Sequence, residues 1–278
     1  MHGGAPLAER CIRMNEKRKE TSVDSRLDQV LKALRAAGTI TVEEICEQTG
    51  VSVATARRDL QELEDRGMLR RNHGGAQLVE PMIYEAFRHD STFDSQIKTQ
   101  SVEKRRIAVA AAELVEDGDT IALTAGTTTT EVVRNLRHRQ SITVVTNTVN
   151  VAMELSQQKN ISVLVTGGHL RGDWFSLVGA TAARAIREFY LDKVFVGANA
   201  VDSVQGPMCY NAEEAAVNRS MVNQARKRIL VVDHTKFSAK APHRICSLKK
   251  IDVLVTDSEA TDEQISPYLD RSIKVIRA

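Results

Sequence analysis

Hydrophobic residues are spaced in two different ways along this chain. Between residues 23 and 79 they recur at helical intervals in short segments. From about residue 101 to the C-terminus they gather into short, β-branched, continuously apolar runs separated by helical stretches. Leu27, Val30, Leu31 and Leu34 share one face of a helix expected over 24–36, and Gly38 is placed to end it. Thr41-Val42-Glu43-Glu44 has the spacing of a capping box and predicts a short second helix closed by Gly50. Ser52 can cap a third helix, on which Val53, Ala56, Leu60 and Leu63 form an apolar stripe. After Gly67, two short strand-like pieces flank Asn72-His73-Gly74-Gly75, the pattern of a hairpin.

The second grammar predicts a sheet. The runs 119–124, 141–147, 161–168, 192–198, 228–234, 251–257 and 272–278 do not alternate apolar with polar, so both faces of each strand are expected to be covered and the sheet to be mainly parallel. Segments such as 130–138, 178–190 and 212–226 supply crossover helices. The expected fold is a small α+β domain of winged helix-turn-helix form followed by an α/β doubly wound, mainly parallel-sheet domain. The expected boundaries are a disordered, charged extension over 1–22, a first domain over 23–79, a linker over 80–100 and a second domain over 101–278.

Composition narrows the classes. Of 278 residues, 42% are hydrophobic and 4% aromatic, which suits aliphatic cores better than a stacking platform for single strands. The net charge is only +2, so any nucleic-acid surface must be patterned locally. Cys11, Cys46, Cys209 and Cys246 form no closely spaced pair. Neither a disulfide framework nor a metal site is expected, and no cofactor. A reducing, cytoplasmic setting follows, and no run has the length of a membrane span.

That local pattern lies on the third helix. At 100° per residue, Thr55, Arg58 and Glu62 point away from the apolar stripe, with Arg57 and Gln61 flanking. Arg reaches guanine edges or phosphates, and Ser and Thr reach either, so this outer N-terminal half suits a major groove. Arg70, Arg71 and His73 lie where a wing meets phosphate. Thr41, Ser52, Thr55, Arg57, Arg58, Arg70, Arg71 and His73 form the expected DNA-contacting set. Periodicity alone leaves a solvated helical bundle equally open.

In the second domain the polar residues gather after the strands. Ala125-Gly126-Thr127-Thr128-Thr129-Thr130-Glu131 follows the first strand, and a glycine turn entering a helix presents free N–H groups to an anion. It has neither a Walker lysine nor a GxGxxG pattern, so ATP and dinucleotides are poor candidates. Other strand ends add Asn147, Thr148, Gly168, Arg171, Ser176, Asn199, Asp202, Asp233, His234 and Lys236, and a parallel sheet opens all of these on one crevice. With Thr124, Gly126, Thr127, Thr128, Thr129 and Glu213 they form the expected effector site. Each taken singly reads as well as a cap or turn residue.

From about residue 24 to the C-terminus the chain resembles the DeoR family of bacterial transcriptional regulators. The resemblance rests on Arg26, Val30 and Leu34, then Ser52, Thr55, Ala56, Arg57, Arg58, Asp59 and Leu60. It continues through Gly67, Leu69, Arg71 and His73–Ala76, and through GTTT, GGxxR, SxVG, EEA and DHTKF in the second domain. It implies a repressor of carbohydrate metabolism genes, with a sensor domain sharing the ribose-phosphate isomerase fold and binding a phosphorylated sugar. Winged-helix proteins read palindromic operators as dimers, so a homodimer or homotetramer is expected. Asp59, an acid on a DNA-facing helix, is expected to pair with a neighbouring arginine.

Three positions depart from the family's commoner form: Thr124 and Asn199 stand where acids are usual, and Asn218 where lysine is frequent. They put the sugar's identity in doubt. The rival reading is a sugar-phosphate isomerase-like enzyme carrying a DNA-binding domain. It needs a poised carboxylate, for which Glu213, Glu214 and Asp233 are the candidates.

Overall fold

The computed structural model describes residues 25–65, 68–78 and 92–278, and the chain divides into two compact units, Met1–Val79 and Glu80–Ala278. The expected extension over 1–22 lies outside the described residues. So does the expected linker as far as residue 91.

In the first unit, helix α1 runs through residues 25–37. It ends as expected at Gly38, whose φ of +84° lets its N–H reach the Leu34 carbonyl at 2.7 Å. Strand β1 (Thr39–Thr41) leads into α2 (Val42–Thr49). The capping box forms: Glu44 N–H donates to Thr41 Oγ1 at 3.1 Å and Thr41 N–H to Glu44 Oε2 at 2.8 Å. Helix α3 (Val53–Asp65), β2 (Leu69–Asn72) and β3 (Gly75–Leu78) complete the unit, and the strands form an antiparallel sheet in the order β1-β3-β2. Leu27, Val30, Leu34, Ile45, Ala56, Leu60 and Leu63 are buried in one core.

Two details differ from expectation. Val53 is 46% exposed, because the first turn of α3 overhangs the core and the stripe starts at Ala56. Strand β1, too short to show a period, adds a third strand to the hairpin. It lies so close that a Cβ on Gly75 would sit 2.1 Å from the Ile40 carbonyl oxygen.

The second unit opens with α4 (Thr92–Lys98) and α5 (Ser101–Ala112). Residues 92–98, expected as linker, are therefore helical. Phe93 and Ile97 of this helix are buried and pack with Trp174 and Phe175, partners too distant in sequence for a periodicity reading to find. The chain continues through β4 (Thr120–Leu123), α6 (Thr127–Arg134), β5 (Ile142–Thr146), α7 (Val149–Leu155), β6 (Ile161–Val165), the hairpin β7 (His169–Arg171) and β8 (Ser176–Val178), α8 (Ala180–Ile186) and β9 (Leu191–Val196). Then come β10 (Ala200–Asp202), β11 (Gly206–Cys209), α9 (Ala212–Gln224), β12 (Ala225–Val231), β13 (His243–Arg244), β14 (Val253–Thr256), α10 (Asp262–Leu269) and β15 (Lys274–Arg277).

The seven expected runs become one parallel sheet in the order β15-β14-β12-β9-β4-β5-β6. Successive strand residues supply opposite faces. Ile121, Leu123, Phe195, Ile229 and Val231 pack under α5, α6 and α7. Ala122, Val194, Val196 and Leu230 pack under α8, α9 and α10. The chain winds outward from β4 to β6, then returns to β9 on the other side of β4. The order thus reverses between β4 and β9, where a doubly wound sheet splays into a ligand crevice. No described helix is long and apolar enough to cross a membrane.

Candidate functional site

The first unit presents an exposed helix face. Ser52 caps α3: its Oγ accepts the Thr55 N–H at 3.3 Å and lies 3.1 Å from Thr55 Oγ1. Arg57 and Arg58 are exposed in the next turn, and among the described residues neither is held in an ion pair. The acids Glu62, Glu64 and Asp65 are confined to the C-terminal half, so positive charge concentrates at the end where helix N–H groups are free.

Asp59 is buried on this helix, and both its oxygens take hydrogen bonds from Arg26 of α1, at 2.7 and 2.8 Å. The contact fastens α3 to α1 and holds the Arg26 guanidinium above its ordinary pKa, chiefly through the hydrogen bond. The acid on the basic helix is thus internal, as expected.

On the hairpin, Arg70 and His73 are exposed and free to approach a phosphate backbone. Arg71 is exposed too, yet its guanidinium donates to Gln61 and its N–H to Glu64 Oε1 at 2.9 Å, which ties the hairpin to α3. Thr41 spends its hydroxyl on the α2 cap.

In the second unit a crevice of about 710 Å³, its open mouth included, lies at the β4/β9 switch point. Its floor is Ala125, Gly126, Thr127 and Thr128, where β4 enters α6, facing Gly197, Ala198 and Asn199 beyond β9. Thr124 splices these two edges: its N–H donates to the Phe195 carbonyl at 3.1 Å and its Oγ1 accepts the Gly197 N–H at 3.0 Å. Thr129 stands behind, its hydroxyl 2.8 Å from the Thr124 carbonyl and 2.9 Å from that of Gly126. The N–H groups of Gly126, Thr127 and Thr128 begin α6 and have no carbonyl one turn earlier to bond.

Three cations line the crevice: Lys104, Arg171 and Lys236. Arg171 is fixed by Glu214, 3.2 Å away, which also accepts the Ser176 hydroxyl at 3.0 Å. Burial raises the Glu214 pKa, against the opposing pull of Arg171. Lys236 lies 3.8 Å from Asp233. Lys104 is buried, and burial lowers its pKa to about 8 despite the attraction of Asp233.

Polar acceptors complete the lining. Asn199 Oδ1 accepts the Tyr210 N–H at 3.2 Å. Among the described residues Asn218 Oδ1, which is buried, has no hydrogen-bond partner. A buried carbonyl oxygen left unmatched costs about 1–3 kcal/mol, so a ligand hydroxyl here would satisfy an existing deficit.

Of the expected effector residues, Gly126, Thr127, Thr128, Arg171, Asn199 and Lys236 meet in the crevice. The others serve the scaffold. Asn147 Nδ2 donates to the Leu177 carbonyl at 3.0 Å, and the Thr148 hydroxyl pairs with Thr146 at 2.9 Å. Gly168, at φ +124°, lets the β7–β8 hairpin approach, since a Cβ would lie 2.7 Å from the Val178 carbonyl oxygen. Ser176 acts only through Glu214. Asp202 caps a turn by accepting the Val204 and Gln205 N–H groups, both at 2.7 Å, and Glu213 is exposed on α9. Asp233 is fully buried and caps Thr235 at 3.1 Å, and His234 Nδ1 lies 2.9 Å from Asp257.

Gln96, Lys104, Trp174 and Tyr210 were not expected in the lining. Gln96 falls in the segment read as linker. Lys104 sits in Glu103-Lys104-Arg105-Arg106, which in sequence looks like a solvated charged face. Among the described residues no cluster of three or more His, Cys, Asp or Glu is placed to hold a metal ion.

Comparison with known proteins bears on both units. A family profile described as a DeoR-like helix-turn-helix domain matches residues 26–82, and one described as the DeoR C terminal sensor domain matches residues 99–258. The lactose phosphotransferase system repressor of Lactococcus lactis is 33% identical, over 92% of this chain and 96% of that protein. The glycerol-3-phosphate regulon repressor of Escherichia coli K12 is 30% identical, over 90% of this chain and 97% of that protein. The HTH-type transcriptional regulator GlpR of Haloferax volcanii is 39% identical, over 78% of this chain and 82% of that protein. Among solved structures, ribose 5-phosphate isomerase A of Methanocaldococcus jannaschii is similar at 19% identity, covering 50% of this chain and 55% of that chain with a TM-score of 0.39.

Proposed function

Because the chain belongs to the DeoR family of transcriptional regulators, we propose that it is a repressor whose hold on operator DNA responds to a phosphorylated sugar in the sensor crevice. The observation that carries the effector reading is that Lys104, Arg171 and Lys236 line one crevice with the first residues of α6 and with Asn218, whose buried oxygen is unmatched. The cations and the helix N-terminus suit a phosphate. Asn218 and Asn199 suit the hydroxyls of a polyol. Asparagines at these two positions, rather than charged groups, favour a neutral sugar body over a sugar acid or amine.

On the DNA side, Arg57 and Arg58 with Ser52 and Thr55 enter the major groove, and Arg70 and His73 meet the backbone at the wing. Arg71 and Thr41 hold the scaffold. A palindromic operator and a homo-oligomeric regulator, acting in the cytoplasm, complete the proposal.

The isomerase alternative lacks a base. Glu213 is exposed, Glu214 is committed to Arg171 and Ser176, and Asp233 is fully buried, with one oxygen in a cap and the other 3.8 Å from Lys236. The relatives matched over nine-tenths of the chain are repressors.

The reading is tested by thermal-shift screening of the full chain against sugar phosphates and their unphosphorylated parents. A ligand present at 100 times its Kd stabilises the folded state by about 2.7 kcal/mol. A phosphorylated hexose, pentose or triol is expected to raise the transition while its parent does not. Equal response to phosphorylated and parent compounds, or to none, contradicts it.

A further inference from the structure

Lys104 has a second attachment that the effector reading does not use. Its Nζ donates to the carbonyls of Gln96 and Thr99, each at 2.6 Å. Those carbonyls close the C-terminal end of α4, where a helix carries partial negative charge and lacks internal donors. An ammonium has three N–H groups. Two hold α4, and the same side chain lines the crevice.

Helix α4 is the first element described after residue 91, and hence the part of the sensor unit nearest in sequence to the DNA-binding unit. It is attached at two other places. Gln96 lines the crevice beside Lys104. Phe93 packs edge-on against Trp174 and Phe175, with ring centroids 6.3 and 5.4 Å apart, and Trp174 lines the same crevice three residues beyond Arg171. Helix α4 therefore meets the space a ligand would fill directly through Gln96, and indirectly through Phe93 packed on the crevice-lining Trp174.

We propose that Lys104 is the residue through which crevice occupancy is felt by α4: its third N–H donates to a phosphate oxygen of the ligand, so that the bound anion fastens the C-terminal end of α4 to the start of α6. This rests on the reading of the crevice as a site for a phosphorylated ligand. An anion at Nζ favours the charged ammonium and strengthens its bonds to Gln96 and Thr99, because each hydrogen bond polarises the next. Helix α4 itself is thereby held more firmly against α6 when ligand is present than when it is absent. Differential stability of this kind is what a ligand needs to shift a regulator between two states. Glu103, Glu131, Asp233 and Lys236 are the charged groups whose fields reach Lys104, and none takes the place of the two carbonyls.

The test uses the full chain with inorganic phosphate as the probe. Trp174, the only tryptophan, reports on the α4 contact by its emission. Calorimetry gives phosphate affinity, and amide exchange followed by mass spectrometry gives protection over residues 92–104. For the unaltered chain we expect a saturable emission change with the calorimetric midpoint, and exchange over 96–104 slowed at least fivefold. Lys104→Met should bind phosphate at least tenfold more weakly and show no slowing at saturation, whereas Lys104→Arg should restore both in part. The paired change Thr127→Ala with Thr128→Ala should weaken phosphate binding and leave Lys104 bonded to α4. If phosphate binds and the threonine changes weaken it, but α4 protection and Trp174 emission stay still, the coupling is wrong and the crevice reading stands. The same holds if Lys104→Met keeps the full response. If phosphate gives no binding at all, both fall.

Discussion

Replacing Asp59 by alanine should unseat the DNA-binding helix without removing any contact to DNA. The Asp59 side chain is 5% exposed and takes two hydrogen bonds from Arg26, whose side chain is 21% exposed. Each charge-assisted bond contributes about 1.5–3 kcal/mol when well buried, and the partial exposure of Arg26 screens part of this. Removing the acid also strands the guanidinium against α3, a further penalty of the kind seen when one partner of a buried pair is deleted. A net loss of about 2–4 kcal/mol follows. A unit of about 55 residues has only about 3–8 kcal/mol of stability in total. Asp59→Ala should therefore raise exchange throughout α1–α3, lower the melting temperature of this unit by at least about 10 °C, and leave phosphate affinity in the sensor unit unchanged. Arg26→Met combined with Asp59→Leu should regain much of the loss, since an apolar pair leaves no stranded charge. Native protection in Asp59→Ala together with weakened operator binding would refute the reasoning, because the acid would then act at the DNA surface itself.

Other expectations follow from the same structure. Arg58→Ala should weaken operator binding on the order of tenfold to a hundredfold, the range for one good base contact, with sugar-phosphate affinity unaltered; fluorescence anisotropy with a labelled operator checks this. Gly75→Ala should disrupt the wing and raise exchange over 39–41 and 69–78, because a Cβ has no room beside the Ile40 carbonyl. Thr127→Ala with Thr128→Ala should leave operator binding intact while raising the ligand concentration needed to alter it. The Lys104 pKa of about 8 sets a pH limb: the cation predominates below pH 8 and is lost above it, so affinity for a phosphorylated ligand should fall by about fivefold between pH 8 and 9. The phosphate itself, with a second pKa of about 6, does not titrate there. Lys104→Arg should flatten this limb.

The repeating parts of the fold were legible because they follow from period. Continuously apolar runs gave all seven parallel strands, and helical spacing with caps at Thr41 and Ser52 gave the first unit. What sequence could not show was set by tertiary partners. Strand β1 exists because β3 lies beside it, and α4 because Phe93 and Ile97 find Trp174 and Phe175. The crevice was legible as an address more than as a roster. The loop at Gly126 was visible, and six expected residues meet there. Lys104 reaches the crevice from a helix whose charged pattern looks solvated. Conversely, Asn147, Thr148, Asp233 and His234 stand at strand ends, but their side chains turn inward to satisfy backbone and buried groups, as most buried polar groups must.

The central claim is that this chain holds operator DNA through α3 and changes that hold when a phosphorylated sugar fills the crevice. It is tested most directly by titrating a labelled palindromic operator, taken from beside the chain's own gene, with the full protein in the presence and absence of the sugar phosphate that raises its thermal transition. The account predicts tight binding that the phosphorylated sugar weakens at least tenfold, an effect absent with Thr127→Ala plus Thr128→Ala. Operator affinity unchanged by a ligand that calorimetry shows bound in the crevice would contradict it.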